Sequence, residues 1–193
     1  MIPRLLWITP EDGPLAPMLD ALAAAPREVV VMLRRPRAST RTLLAEGHAL
    51  QATGHALVVS RRVDVALALD ARGVHLPERG LDVADARALL GPSRWVGVSR
   101  HDRAGLEAAA TTGADYATLS PFAAVPGKGP ALGPARFAEV RRGVRIPVLA
   151  LGGITKENAH LALRSGADGF ALLRGAADLA ELAALLVDPG RDG

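Results

Sequence analysis

Two glycine-rich turns late in the chain carry the residue types that hold an anion. The first reads Leu151-Gly152-Gly153-Ile154-Thr155 and the second Leu173-Arg174-Gly175-Ala176. Glycine lets backbone N–H groups approach an oxyanion that a Cβ would hold away, and a helix start after each turn would add partial positive charge. The turns are therefore read as a phosphate site at Gly152, Gly153, Leu173, Arg174 and Gly175, in preference to merely tight turns. The stretch from Ser120 to Gly133 is rich in Pro and Gly and sets Lys128 between two glycines. It is either a mobile flap with a cation at its tip, suited to an anionic substrate, or a solvated loop with an ordinary lysine. A third stretch, Gly97-Val98-Ser99-Arg100-His101-Asp102, offers a hydroxyl for a phosphate oxygen at Ser99. His101 either moves a proton near neutral pH or caps the following helix. His75 ends another apolar run near these groups, while His48, His55 and His160 are expected at the surface. No Ser/His/Asp or metal-ligand spacing is apparent.

Such turns act together only if a scaffold brings them to one end. Short apolar runs alternate with Ala/Leu-rich segments throughout the chain. The predicted strands are Leu5 to Thr9, Val29 to Arg34, Ala56 to Ser60, Gly73 to Leu76, Trp95 to Ser99, Tyr116 to Ser120, Pro147 to Leu151 and Gly169 to Leu173. Helical patterns lie at 14–25, 38–53, 62–70, 82–90, 103–112, 134–142, 155–165 and 176–187. Asp82 and Thr155 are the expected caps of the fourth and seventh helices, and Gly113 and Gly166 end the fifth and seventh. Continuous apolar strands joined by helices imply a parallel sheet buried on both faces. Eight such units predict a single-domain (β/α)₈ TIM barrel over residues 1–193, with short loops. An open doubly wound sheet is the alternative. It would carry a Gly-x-Gly-x-x-Gly turn after the first strand, where Thr9-Pro10-Glu11-Asp12-Gly13 stands instead.

In a barrel the chemistry sits at the C-terminal strand ends, so the two glycine turns fall after strands seven and eight, where such barrels hold phosphate. A weak repeat falls at the opposite end: Thr112-Gly113-Ala114-Asp115-Tyr116 recurs as Ser165-Gly166-Ala167-Asp168-Gly169. Asp115 and Asp168 are accordingly read as structural.

Composition removes several function classes. With 49% hydrophobic and 22% charged residues the chain builds a core and is not disordered. Aromatic residues at 3% argue against base-stacking platforms, and no Lys/Arg block appears, so no nucleic-acid partner is expected. All but Lys128 and Lys156 of the 23 basic side chains are arginine, which explains a pI of 10.1 at a net charge of only +3. The absence of cysteine excludes disulfides, thiolate metal sites and Cys nucleophiles. No apolar run could span a bilayer and no secretory signal is visible, so a cytoplasmic protein with no membrane partner is expected. A homo-oligomer is compatible with this sequence.

Read in order, Arg62-Val63-Asp64-Val65-Ala66-Leu67-Ala68, Gly73-Val74-His75-Leu76, Gly97-Val98-Ser99-Arg100-His101, Gly113-Ala114-Asp115-Tyr116, the run from Pro147 through Gly152-Gly153-Ile154-Thr155 to Asn158, and Gly166-Ala167-Asp168-Gly169 resemble the thiamin phosphate synthase/TenI family. The resemblance implies a (β/α)₈ barrel. It implies one of two activities on a thiazole phosphate. Synthases join it to a hydroxymethylpyrimidine pyrophosphate with Mg²⁺, and TenI-type members tautomerise a thiazole carboxylate phosphate.

The departures from the family pattern matter as much. Where the synthases carry Gln-x-Arg-x-Lys after the second strand, Met32, Arg34 and Pro36 stand here. Their Asn-Asp before the Arg-Val-Asp run is Ser60 and Arg61, and their next Asp is Gly80. The two loop threonines fall on Val125 and Gly127, the lysine on Lys128, and the proton-transferring His of some TenI-type members on Pro121. Mg²⁺ takes oxygen ligands, chiefly carboxylates, and both expected ones are replaced, so no metal and no cofactor is expected. The resemblance thus implies a small phosphorylated heterocycle, a thiazole phosphate, held by the glycine turns with Arg34, Arg61, Ser99 and Lys128. His101 and Lys128 are the candidates for acid/base work. The expected function is a TenI-like isomerase or an atypical transferase; the alternative is a non-catalytic phosphate-ligand sensor or pseudoenzyme.

Overall fold

Each apolar run forms a strand whose two faces both need cover, and eight of them close on one another. In the computed structural model, which describes residues 2–173 and 178–186, the strands are β1 (Leu5–Ile8), β2 (Val29–Leu33), β3 (Leu57–Ser60), β4 (Gly73–Leu76), β5 (Trp95–Arg100), β6 (Tyr116–Leu119), β7 (Val148–Leu151) and β8 (Gly169–Leu172). The helices between and after them are α1 (Ala16–Ala24), α2 (Thr40–Ala52), α3 (Val63–Ala68), α4 (Val83–Leu90), α5 (Arg103–Thr111), α6 (Gly133–Arg141), α7 (Ala159–Arg164) and α8 (Leu179–Ala184). All neighbouring strands are parallel, and β8 returns to β1 with Leu5 opposite Phe170, so the barrel is closed.

Alternation along each strand divides the core in two. Leu5, Trp7, Val29, Val31, Val59, Val96, Val98 and Ala117 point outward and pack beneath the helices. Leu6, Ile8, Val30, Met32, Val58, Tyr116, Leu149 and Ala171 point inward and fill the lumen. The barrel is therefore a packed solid, and ligand access is confined to its ends.

The end opposite the mouth is held by a device used twice. Asp115, just before β6, accepts from the Val96 N–H at 2.6 Å and from Arg87 of α4 at 2.5 Å. Asp168, just before β8, accepts from the Val148 N–H at 2.8 Å and from Arg141 of α6 at 2.9 Å. Each carboxylate ties an N–H at the start of the preceding strand to a helix guanidinium. These are charge-assisted bonds, stronger than neutral ones, which is why the repeated Asp reads as stability.

Some local expectations are corrected. Asp82 occupies the N-cap position of α4 but makes no side-chain capping bond. α7 starts at Ala159 instead of Thr155, because residues 156–158 form a turn first and Asn158 takes the N-cap position. His55 is buried, not superficial: its ring lies 3.0 Å from the Thr53 hydroxyl and 3.3 Å from the Pro26 carbonyl, which replace its water.

Candidate functional site

At the end of β7 the carbonyls are engaged, while the N–H groups that follow have no acceptor among the described residues. The Leu151 and Gly152 carbonyls each accept at 2.9 Å, from the Phe122 and Ala123 N–H groups, and the Gly153 carbonyl accepts from Asn158 Nδ2 at 2.7 Å. Among the described residues, the N–H groups of Gly152, Gly153 and Ile154 have no acceptor. Buried or half-buried backbone donors are normally paired, so three in succession mark a place that suits an external acceptor. The donors belong to the turn itself. α7 begins beyond it and spans six residues, and the Thr155 N–H is already taken by Asn158 Oδ1 at 2.9 Å, so the expected helix-start contribution does not apply. Of the second turn, Leu173 is exposed at its edge; Arg174 and Gly175 lie outside the described residues.

The loop after β6 leans on this turn. Besides its two bonds to β7, its ends are tied by Leu132 N–H to Pro121 O and Gly133 N–H to Phe122 O, both 2.9 Å. Phe122 is buried edge-on against Phe137 of α6, with centroids 5.4 Å apart. The base of the loop is thus fixed, and residues 126–131, including Lys128, form an exposed tip. The Lys128 charge reaches Glu11 beyond β1. Glu11 is held below the usual carboxylate range first by its hydrogen bond from Arg34 and then by the Arg34 charge; burial opposes them, and the charges of Arg37 and Lys128 add less.

His101 caps nothing. Asp102 caps α5, accepting from the Gly105 N–H at 2.7 Å, while His101 Nδ1 donates to the Ser120 carbonyl at 2.8 Å. That bond fixes the proton on Nδ1 in the neutral ring and leaves Nε2 as the acceptor at the rim of the mouth.

Sequence spacing did not reveal the polar chain inside the lumen. Strand register sets Ser60, His75, Gly97 and Tyr116 side by side on β3 to β6, and Ser99 beside Thr118 one step nearer the mouth. Gly97 leaves room for the Tyr116 ring, whose hydroxyl reaches His75 Nδ1 at 3.2 Å. His75 Nε2 lies 2.9 Å from Ser99 Oγ, and the Thr118 hydroxyl donates to the same oxygen at 3.5 Å. Burial, with the Arg100 charge second, pushes the His75 imidazole down to about 3 from its ordinary 6.5, so it is neutral at physiological pH. Burial also pushes the Tyr116 phenol up. A histidine that charges when unfolded but not when folded withdraws stability as pH falls. Between 6.5 and about 3 the loss is expected at roughly 1.4 kcal/mol per pH unit. Urea midpoints from pH 7 to 4.5 measure this, with His75→Gln expected to flatten the slope by one proton; parallel slopes would place a charged His75 in the folded state.

At the β2–β3 corner of the mouth a cavity of about 90 Å³ is lined by Arg34, Arg35, Arg61, Arg62 and Ser60, with apolar cover from Ala38 and Leu43. Arg34 pairs with Glu11, and Arg62 pairs with Asp64 at 2.6 Å. Arg35 is buried; its Nε donates to Glu46 at 2.9 Å, but its Nη2 is buried without a partner among the described residues. Arg61 makes no side-chain hydrogen bond or ion pair with any described residue. Its φ of +67° is a conformation an L side chain rarely adopts. The predicted pair Arg34 and Arg61 is therefore brought together, and Arg35 is an addition that only its place in the Arg34-Arg35 doublet could have signalled. Among the described residues, no three His, Cys, Asp or Glu side chains gather as a metal site would require.

The chain is similar over most of its length to known proteins. The family model described as thiamine monophosphate synthase matches residues 5–176. A putative thiamine-phosphate synthase of Geobacter sulfurreducens is 42% identical over 166 residues, covering 82% of this chain and 77% of that protein. A thiamine-phosphate synthase of Methanosarcina barkeri is 36% identical, over 81% and 73% of the two chains. The solved thiamine phosphate pyrophosphorylase from Pyrococcus furiosus superposes with a TM-score of 0.79 at 24% identity, covering 96% of this chain and 98% of that one, which is a likeness of fold.

Proposed function

The chain belongs to the thiamin phosphate synthase/TenI family, and from that premise we propose that its barrel mouth takes a thiazole phosphate and handles any further phosphate with arginine instead of a metal. The observation that carries this reading is the row of N–H groups at Gly152, Gly153 and Ile154 that have no acceptor among the described residues. A phosphate there would receive hydrogen bonds from fixed backbone donors, which need no side chain that this sequence has lost.

The residues at the β3 and β4 ends do not fit Mg²⁺. Its expected carboxylate positions carry Arg61 and Gly80. The adjoining cavity is lined by four arginines, of which Arg34, Arg35 and Arg62 are paired with carboxylates and Arg61 has no partner among the described residues. Such a lining suits a phosphate better than a dication. No step is routed through a metal. On a phosphorylated ligand, Arg34, Arg35 and Arg61 would hold the charge, Ser99 would donate from inside the mouth, and Lys128 would reach over it from the loop tip. His101 Nε2 is the acceptor placed to move a proton in a TenI-like isomerisation or a metal-independent transfer.

One observation favours a second reading, a non-catalytic phosphate-ligand sensor. The position of the TenI-type proton-transferring His is Pro121, and the base of its loop is tied down on both sides. Turnover of thiazole carboxylate phosphate, followed by ultraviolet absorbance, separates the two: binding without turnover selects the sensor. For the metal, calorimetric titration with inorganic pyrophosphate is expected to give the same affinity, within about twofold, with Mg²⁺ or with a chelator. A strict Mg²⁺ requirement would overturn the arginine reading; Arg61→Ala is expected to weaken binding about tenfold or more, the worth of one charge-assisted hydrogen bond.

A further inference from the structure

The lumen chain has one hydrogen-bond assignment that leaves neither Tyr116 nor His75 with a buried group unpaired. Tyr116 is fully buried among Leu6, Val30, Leu149 and their neighbours, and His75 Nδ1 is the sole hydrogen-bond partner of its hydroxyl among the described residues. If Nδ1 carried the proton, it would donate to the phenol oxygen, and the Tyr116 O–H would be left buried with no acceptor. That is a costly arrangement in an apolar lumen. If instead the phenol donates to Nδ1, the neutral ring carries its proton on Nε2 and donates to Ser99 Oγ. That oxygen also accepts from Thr118, so both of its lone pairs are in use. The one capacity left to Ser99 is its own O–H, at the mouth end of β5.

We infer that Tyr116 and His75 are positioning residues that fix Ser99 as a donor and close it as an acceptor, so that the mouth meets its ligand at this point with an O–H aimed at an anionic oxygen. An oxygen with both lone pairs engaged does not ligate a cation, so the same device works against a metal at this site. The chain acts through hydrogen-bond direction alone, without charge and without contact between ligand and imidazole. The inference rests on the anion reading above for its ligand, but not for its internal geometry.

Nitrogen-15 spectroscopy of the labelled full-length protein reads the tautomer directly, with the His75 signal assigned by its loss in His75→Gln. A neutral ring protonated on Nε2 between pH 6 and 8 is the expected result; a proton on Nδ1, or a charged ring, would overturn the inference. A double-mutant cycle with inorganic pyrophosphate as the probe supplies the functional arm. Ser99→Ala is expected to weaken binding about tenfold to a hundredfold. Tyr116→Phe should weaken it by a smaller factor and add nothing in the Ser99→Ala background. Additive losses would show that Tyr116 acts by packing alone and would overturn the positioning role. If the parent protein fails to bind pyrophosphate, the anion reading falls, while the tautomer still decides the assignment inside the barrel.

Discussion

Gly153→Val is expected to abolish measurable binding of a thiazole phosphate while leaving a folded barrel. Two effects act in the same direction. Gly153 has a φ of +68°, where a β-branched residue is a strained outlier, so the substitution turns the peptide and with it the N–H groups offered to the anion. A Cβ at this position would also stand 2.9 Å from the Ala123 Cβ and 3.1 Å from the Ala124 carbonyl oxygen, driving the β6 loop off the turn. Losing two charge-assisted hydrogen bonds, each worth about 1.5–3 kcal/mol, removes at least about a hundredfold in affinity. The stability cost should be smaller, on the order of 1–3 kcal/mol for one strained residue, because the turn lies beyond the sheet. Calorimetry with the thiazole phosphate and a thermal melt on the same sample measure both. Binding equal to that of the parent would place the anion elsewhere.

Gly97→Val is expected to have the largest effect on stability. The lumen is close-packed, and a Cβ on Gly97 would lie 2.2 Å from Tyr116 Cζ and 2.5 Å from its hydroxyl oxygen. The phenol cannot swing aside without leaving its bond to His75 or entering the space of Leu6, Val30 and Leu149. A cost of about 3 kcal/mol or more, at the upper end of overpacking, corresponds to a fall in Tm of roughly 6–12 °C for a chain of this size. A melt within about 2 °C of the parent would show that the lumen has slack near Tyr116. Shortening the opposing side chain in the same protein, Tyr116→Leu, should restore part of the loss, which separates the clash from the intrinsic cost of valine.

The architecture was legible because parallel strands buried on both faces write themselves as unbroken apolar runs. Each run ends at a glycine, proline or polar residue, and every strand end falls within one residue of its predicted position. The start of α7 was not legible for a local reason. Thr155 looks like a cap, but the Asn158 side chain folds back to bond both Thr155 and Gly153, and so spends the residues that would have been the first helical turn. The arginine corner was half legible. Arg34 keeps the arginine of the family pattern and Arg61 stands out against it, but the burial of Arg35 depends on Glu46 of α2, which no spacing rule connects to it. The pairing of His75 with Ser99 was not legible at all, because 24 residues separate them and only the register of β4 against β5 brings them together.

The two aspartates beneath the barrel bear on how far related sequences can drift. Each reaches its neighbouring strand through a main-chain N–H, of Val96 or of Val148, and takes no account of the side chain carried there. Those positions can therefore exchange one apolar residue for another without disturbing the tie, with proline the one replacement that removes the donor. A carboxylate that takes one of its two bonds from the backbone keeps that bond when the apolar side chains around it mutate, so long as its helix arginine stays. The lower half of the molecule can thus keep its shape through extensive divergence, and the upper rim is left to vary its chemistry.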